Sequence, residues 1–214
     1  MSDYSAEADR LITEAQRSVN LEKQDAGAAT VLTASHVYRT DVDDLWDAIV
    51  DQQRLARWFG PVSGDFRVGG TYAVEGNASG TIRTCDAPTG FSATWEFAGG
   101  TSELQVTLTP EGDGTRLTLQ HTGDVPYEFY DQFGPGATGV GWDNALLGLA
   151  AYLAFDTEVP LETTEWATSD DGLAFIRSSA SVWGDAAIAA GEPHEVARAS
   201  AERTAAFFSG AGQV

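Results

Sequence analysis

Cysteine is almost absent from this sequence. Cys85 is the single cysteine among the 214 residues. An intramolecular disulfide is therefore excluded, and so is a metal site built on cysteine ligands. This scarcity predicts a protein that works in a reducing compartment.

Positive charge is also scarce. Lysine and arginine together number 12, against 32 aspartate and glutamate residues, which gives a formal net charge of -20. Such a chain is repelled by the phosphates of nucleic acids and by anionic membrane surfaces. We therefore expect neither a nucleic-acid partner nor a membrane partner.

Long apolar runs are missing too. The longest, residues 145–155, is too short to cross a bilayer, and the N-terminal sequence MSDYSAEADR lacks the apolar segment of a signal peptide. We expect a soluble, cytoplasmic protein. The chain length favours one principal domain with smaller appendages.

The first sixty residues predict helix, linker, strand and helix in that order. Apolar residues recur at helical spacing over residues 5–21, and the polar residues 22–28 are typical of a linker. Residues 31–38 are rich in β-branched and aromatic side chains and predict a strand. Asp41 is then placed to cap a helix that ends near Phe59.

Six short strands are predicted next, separated by turns rich in glycine, proline and asparagine. These connections are too short for crossover helices, so the sheet should be an antiparallel meander. Alternation places the apolar side chains of the last strands on one face. The predicted strands are residues 65–68, 71–75, 81–85, 91–97, 103–109 and 115–121.

Three helices are predicted after the sheet. Residues 137–154 form a long helix whose apolar stripe would cover the apolar face of the sheet. A helical hairpin follows, with Ser169 as the first cap, Gly191 as the end of its first helix and Pro193 as the start of its second. The hairpin could pack against the domain, over a pocket mouth or against a second subunit.

Several of these motifs resemble a known family. The segment WFGPVSGDFRVGGTY (58–72) joins a helix to a hairpin, and it follows Tyr38 and DVDDLWDAI (41–49) with plausible spacing. Over residues 31–153 the sequence resembles the START-like (SRPBCC) superfamily and, within it, domains similar to the activator of the heat-shock ATPase. The resemblance implies an α+β helix-grip fold, in which a curved antiparallel sheet wraps around the long C-terminal helix and a cavity opens between them.

The resemblance also implies a division of the chain and a set of functions. We expect an N-terminal helix and linker (1–29), a START-like domain (30–156) and a C-terminal helical extension (157–214). Our leading prediction is an intracellular protein that binds a small hydrophobic molecule in the cavity, without catalysis and without a cofactor. The alternatives are an interaction protein similar to the chaperone activator, a cyclase or dehydratase using the same cavity, and, as a further partner, a second copy of the chain.

The predicted ligand-binding residues are mainly aromatic and aliphatic side chains of the inner sheet face and the long helix. They are Phe66, Tyr72, Trp95, Phe97, Val106, Leu119, His121, Phe133, Trp142 and Leu146.

His121 is the most informative titratable group. It ends the strand whose alternate residues Leu117 and Leu119 face inward, so its imidazole should lie in or beside the cavity. It could fix the following loop by a hydrogen bond, contact a ligand, or act as a general base. Asp143 is the acidic residue best placed to pair with it.

Two segments near the long helix allow alternative interpretations. Residues 134–139 match G-x-G-x-x-G but lack the parallel strands of a dinucleotide site, so they predict a tight turn into the helix. The aromatic residues of segment 127–133 could form a lid or could fasten the helix to the sheet.

Catalytic and metal-binding patterns are missing. The sequence contains neither a G-x-S-x-G nor an H-E-x-x-H motif, and His36, His121 and His194 belong to different predicted elements. We therefore predict neither a bound metal nor a covalent nucleophile.

Overall fold

The computed structural model of the chain describes residues 4–25 and 27–210. Ala26, which belongs to the predicted linker, and residues 1–3, which begin the predicted N-terminal segment, lie outside the described residues.

In the described part of the chain, one antiparallel sheet of eight strands forms the framework, in the spatial order β1-β2-β8-β7-β6-β5-β4-β3. Neighbouring strands are consecutive in sequence except β2 and β8. The pairing of β2 with β8 brings an early strand of the chain beside the last one. The strands are β1 Gln16–Gln24, β2 Gly27–Tyr38, β3 Val62–Gly64, β4 Thr71–Val74, β5 Ser79–Asp86, β6 Gly90–Phe97, β7 Gly100–Glu111 and β8 Gly114–Pro126.

Within residues 4–25 and 27–210, seven α-helices lie on this sheet or around it. Ser169 accepts a hydrogen bond from the amide of Gly172 at 3.1 Å, which confirms the predicted cap of the hairpin. The helices are α1 Ser5–Glu14, α2 Val42–Val50, α3 Gln52–Trp58, α4 Tyr127–Phe133, α5 Gly136–Phe155, α6 Asp170–Ala189 and α7 His194–Phe208, with short 3-10 turns at Leu161–Thr163 and Glu165–Thr168.

The α+β helix-grip fold expected from the sequence is confirmed, with α5 held against the curved sheet. The Tyr38 hydroxyl of β2 donates to the carbonyl of Leu146 at 3.0 Å and so joins sheet to helix. Helix α5 also contacts α1, α3, α6 and α7. Because it is covered on both sides, its apolar residues are not confined to the predicted stripe.

The N-terminal segment differs from its prediction. Helix α1 ends at Glu14, and residues 16–24, predicted as the rest of the helix and part of a linker, form strand β1. Val19 and Leu21 alternate with polar neighbours there, and Val19 pairs with Leu32 of β2. Pairing with a long neighbouring strand therefore outweighs a weak helical pattern.

The segment before the hairpin differs as well. The strand predicted at residues 65–68 lies earlier, at Val62–Gly64, and residues 65–70 form a turn in which the amide of Gly70 donates to the carbonyl of Arg67 at 2.8 Å. Gly69 has a φ of 81°, which confirms the predicted reversal at the glycine pair. The predicted helix 41–59 is interrupted at Asp51, whose carboxylate caps α3.

The C-terminal hairpin packs against the domain. Helix α6 contacts α5, β1 and α1, and helix α7 contacts α4, α5 and α6. The sequence left open whether the hairpin packs against the domain, over a pocket mouth or against a second subunit, and the structure shows packing against the domain. The division of the chain at residues 30 and 157 stays a prediction.

Candidate functional site

A cavity of about 400 Å³ lies between the sheet and helices α2, α3 and α5. No aspartate, glutamate, lysine, arginine or histidine is among the described residues that line it. Its wall is rich in aromatic side chains. These are Trp46, Trp58, Phe59, Phe66, Tyr72, Phe91, Trp95 and Trp142.

Strand alternation builds the sheet side of this cavity. Leu104 and Val106 of β7 lie on the same face as Leu117 and Leu119 of β8, and Val106 is the partner of Leu119 across the two strands. On the helix side, Ala145 contributes only a methyl group. A small side chain in the wall leaves volume that its neighbours do not fill.

Several polar groups around the cavity are already bonded within the protein. The Tyr72 hydroxyl donates to the carbonyl of Thr94 at 2.6 Å, and the Trp58 indole donates to the carbonyl of Ala48 at 2.9 Å. Burial, with a smaller contribution from Glu96, raises the pKa of Tyr72 to about 12, so its hydroxyl stays neutral.

Two indole donors remain in the wall. Within the described part of the chain, the indole N–H groups of Trp46 and Trp95 make no hydrogen bond. The cavity therefore combines an apolar wall with a very small number of neutral hydrogen-bonding groups.

His121 lies behind the cavity wall and is not among the lining residues. The indole of Trp142 donates to His121 Nδ1 at 2.8 Å, and His121 Nε2 lies 2.6 Å from the hydroxyl of Ser102. Since an indole can only donate, Nδ1 accepts and the proton resides on Nε2, which donates to Ser102. Burial lowers the pKa of His121 to about 4, in agreement with a neutral ring.

The geometry favours a structural role for His121, although its partners are Ser102 and Trp142 and not the following loop, as predicted. Both ring nitrogens are occupied, and Ser102 in turn donates to the carbonyl of Trp95 at 3.1 Å. His121 fastens helix α5 to the sheet and holds the rings of Trp95 and Trp142 at a centroid distance of 5.0 Å. Neither nitrogen is available to a molecule in the cavity.

The prediction that Asp143 pairs with His121 is wrong. Asp143 lies on the opposite side of α5 and is completely buried. It accepts hydrogen bonds from Arg17 Nε at 3.0 Å, the Ser179 hydroxyl at 2.6 Å and the Trp183 indole at 3.0 Å. Burial raises the pKa of this carboxyl group, and the charge of Arg17 opposes that rise.

Arg17 is a structural residue that the sequence analysis missed. Besides Asp143, its guanidinium donates to the carbonyl of Leu11 at 3.1 Å and that of Ala15 at 3.1 Å, where α1 ends. It therefore joins β1, α1 and α5. In the sequence, Arg17 is a single arginine among polar residues, and this pattern does not indicate a buried ion pair.

Most of the predicted ligand-binding residues come together in the cavity. Phe97 does not: it is 55% exposed at the end of β6. Phe133 lies on α4 and lines a different cavity, and His121 lies behind the wall. The predicted residues that do line the cavity are Phe66, Tyr72, Trp95, Val106, Leu119, Trp142 and Leu146.

Helices α2 and α3 supply lining residues that the sequence analysis did not select. Trp46, Ile49, Leu55 and Trp58 line the cavity, together with Phe59, which follows the end of α3. The apolar stripe that follows the Asp41 cap was the signal that could have identified them.

The aromatic segment 127–133 forms helix α4, and none of its residues lines the cavity. Tyr130 and Phe133 are buried, and α4 contacts α7. These side chains therefore fasten elements together and do not form a lid on this cavity. Gly134, with a φ of 57°, makes the tight turn between α4 and α5.

The described residues contain no group of three or more histidine, cysteine, aspartate or glutamate side chains able to hold a metal ion. Among the helices of residues 4–25 and 27–210, none has the length and apolar composition needed to span a membrane.

Comparisons with known proteins agree with this architecture. A model of the family described as Activator of Hsp90 ATPase homolog 1-like protein matches residues 39–154, more than half of the chain. The crystal structure of CalU16 from Micromonospora echinospora is 33% identical, with a TM-score of 0.56, over 67% of this chain and 88% of CalU16. The solution structure of CalU16 is 28% identical, with a TM-score of 0.66, over 83% of this chain and 97% of that one.

A third structure shows the shared fold alone. DynU16, a protein of the dynemicin biosynthetic locus, is 20% identical, with a TM-score of 0.53, over 67% of this chain and 59% of DynU16. Comparison with curated proteins found no match.

Proposed function

Because the chain belongs to the family of Activator of Hsp90 ATPase homolog 1-like proteins, we propose that it uses the cavity of its helix-grip domain to bind a small, uncharged, ring-containing molecule. The observation that carries this proposal is the wall itself. It is rich in aromatic rings and has no charged side chain among its described residues.

The absence of charge in the wall selects a neutral ligand. Moving an ion from water into an apolar site costs several kcal/mol unless a partner charge and hydrogen bonds compensate it. No such partner lies among the described lining residues. A carboxylate or an ammonium group would therefore bind much more weakly than a neutral compound of the same shape.

The volume sets the size of the ligand. The cavity of about 400 Å³ falls within the range of about 300 to 1,000 Å³ that is usual for small-molecule pockets. A cavity of about 150 Å³ holds benzene, so this one accommodates two or three fused rings. The unbonded indole donors of Trp46 and Trp95, and the remaining acceptor capacity of the Tyr72 hydroxyl, suit a ligand with one or two oxygen atoms.

Binding fits the site better than catalysis. The best candidate for a general base, His121, has both ring nitrogens engaged by Trp142 and Ser102. The Tyr72 hydroxyl, with its pKa raised to about 12, stays protonated at neutral pH. A cyclase or dehydratase would need a proton acceptor in the cavity.

The family supplies a second candidate function. The matching family is named for an activator of the Hsp90 ATPase. That function predicts stimulation of Hsp90 ATP turnover by the purified chain. It is tested directly by measuring phosphate release with the chain present and absent.

A series of ligands that differ only in charge tests the leading proposal. Isothermal titration of 2-naphthol, 2-naphthoate and 2-naphthylmethylamine should show saturable binding of the neutral compound and affinities at least about tenfold weaker for the two ions. Equal affinity for the three compounds, or binding of none, would count against the proposal.

A matched pair of variants locates the binding site. Ala145→Phe fills the cavity from helix α5 and should abolish naphthol binding. Ala174→Phe adds the same ring at an exposed position of α6 and should leave binding unchanged. Thermal unfolding of both variants checks that the fold is intact.

A further inference from the structure

A second cavity lies on the other side of helix α5. Its volume is about 240 Å³, and α4, the start of α5 and the α6–α7 hairpin surround it. It shares no lining residue with the first cavity. By comparison with the cavity of about 150 Å³ that holds benzene, it accommodates one ring with a short substituent.

The charged side chains that line this second cavity, among the described residues, have one sign. Glu192 lies in its wall and is only 7% exposed, and the exposed Asp131 lies at its rim. No lysine, arginine or histidine is among the described residues that line it. Arg203 does not line it. Its guanidinium donates to the backbone carbonyls of Asp131 and Gln132 and to the hydroxyl of Ser200, so its donors are used by neighbouring protein groups.

Tyr130 gives this cavity an unused hydrogen-bonding group. The side chain lines the cavity and is 4% exposed, and its hydroxyl has no hydrogen-bond partner within the described chain. Burial, together with the charges of Glu192 and Asp131, raises the pKa of Tyr130, so the hydroxyl stays neutral. A buried hydroxyl without a partner is unusual in a folded protein.

Aromatic rings complete the wall. Trp183 and Phe133 are 1% and 8% exposed, and both line the cavity together with Tyr127 and Tyr130. Rings of this kind attract organic cations through their electron-rich faces. A buried carboxylate beside aromatic rings is a combination that suits an ammonium group on an apolar body.

We infer that this second cavity binds a small organic cation, a protonated amine attached to a single ring or a short apolar chain. The ammonium group pairs with Glu192 and donates to the Tyr130 hydroxyl, while the apolar part packs against Trp183 and Phe133.

The N-terminal end of α5 favours an anion in the second cavity, but its effect is weaker than that of Glu192. Gly136, the first residue of the helix, also lies in the wall. The positive end of a helix amounts to about half an elementary charge. Glu192 places an acidic side chain, rather than a partial charge, inside the protein, so the site favours a cation over an anion.

Three probes of one shape test the inference with the full chain. Benzylamine, benzyl alcohol and benzoate have similar size and carry a positive charge, no charge and a negative charge at neutral pH. Benzylamine should bind saturably, about tenfold or more tighter than benzyl alcohol, and benzoate should not bind. In two-dimensional NMR spectra, benzylamine should shift the amide signals of Gly134, Gly136 and Gly184, which line this cavity.

Matched variants identify the groups responsible. Glu192→Gln should weaken benzylamine binding by about tenfold or more. Glu195→Gln removes the same charge at an exposed position of α7 and should leave the affinity unchanged. Tyr130→Phe removes only the hydroxyl, should keep the fold, and should weaken binding severalfold even if the Glu192 variant proves unstable.

Three results would overturn the inference: equal binding of benzylamine and benzoate, no saturable shift with benzylamine, or shifts confined to residues of the first cavity. A cavity that holds only water would give the second of these. Because the two cavities have different linings and different probes, failure here leaves the naphthol experiment unaffected.

Discussion

Protonation of His121 at acidic pH should lower the free energy of unfolding more than protonation of an exposed histidine does. Its pKa falls from 6.5 in the unfolded chain to about 4 in the folded protein, because burial disfavours the charged ring. The folded state therefore binds fewer protons than the unfolded state between pH 6.5 and 4. Stability is complete above pH 6.5 and is lost as the pH falls towards 4.

The size of the effect follows from the difference between the two values. A shift of one pKa unit corresponds to about 1.4 kcal/mol, so the change from 6.5 to about 4 corresponds to about 3 kcal/mol. The geometry supplies the reason: a protonated ring cannot accept from the Trp142 indole at Nδ1. The hydrogen bond that fastens α5 to the sheet is then lost.

Substitution by glutamine isolates this contribution. In His121→Gln the amide oxygen can accept from Trp142 and the amide nitrogen can donate to Ser102, without a group that titrates. Urea unfolding at several values of pH from 7 to 4 should show that the variant loses about 3 kcal/mol less than the wild-type protein over this range. His194→Gln, at an exposed position of α7, is the control and should follow the wild type.

His36 accounts for acid sensitivity that remains in the variant. Burial first, and then the charges of Arg10, Arg17 and Arg116, lower its pKa to about 4. The plots of the free energy of unfolding against pH should therefore diverge between wild type and His121→Gln, but both should fall towards pH 4. If the two curves run parallel from pH 7 to 4, the reasoning about His121 is refuted.

Two further predictions concern the packing around α5. Arg17→Met should lower the free energy of unfolding, measured with urea, by about 3 to 5 kcal/mol because it leaves the Asp143 carboxylate buried without its cation. The double variant Arg17→Met with Asp143→Leu should recover much of that loss. An unchanged free energy of unfolding in the single variant would contradict this prediction. A β-carbon at Gly139 would lie 2.4 Å from the ring of Trp183, whereas one at Gly141 would meet nothing within 4 Å. Thermal unfolding should therefore show that Gly139→Ala lowers the free energy of unfolding by about 1 to 3 kcal/mol and that Gly141→Ala raises it by about 0.5 to 1 kcal/mol. A change of the same sign in both variants would refute this packing argument.

Local signals predicted the parts of the fold that depend on local sequence. Alternation in strands β6 to β8 and the turns between them gave the antiparallel meander, and the Asp41 and Ser169 caps gave two helix starts. Strand β1 was missed because its alternation spans only a few residues. Only its pairing with β2 makes it a strand.

The candidate site was also predicted only in part, because local alternation identifies the inner face of the sheet but not the contacts between distant parts of the chain. Alternation placed Trp95, Val106 and Leu119 on the inner face, and they line the cavity. The same rule placed Phe97 there, but alternation does not tell where the cover of the sheet ends, and Phe97 is exposed. Asp143 was misjudged because its partner Arg17 lies 126 positions away in the sequence.

The central claim is that the cavity between sheet and α5 holds a neutral ring-containing ligand. Intermolecular nuclear Overhauser effects between 2-naphthol and the protein test it most directly. The account predicts contacts from the naphthol protons to Leu119, Leu146 and the ring of Trp95. Contacts to Trp183 alone, or none at saturating naphthol, would contradict it.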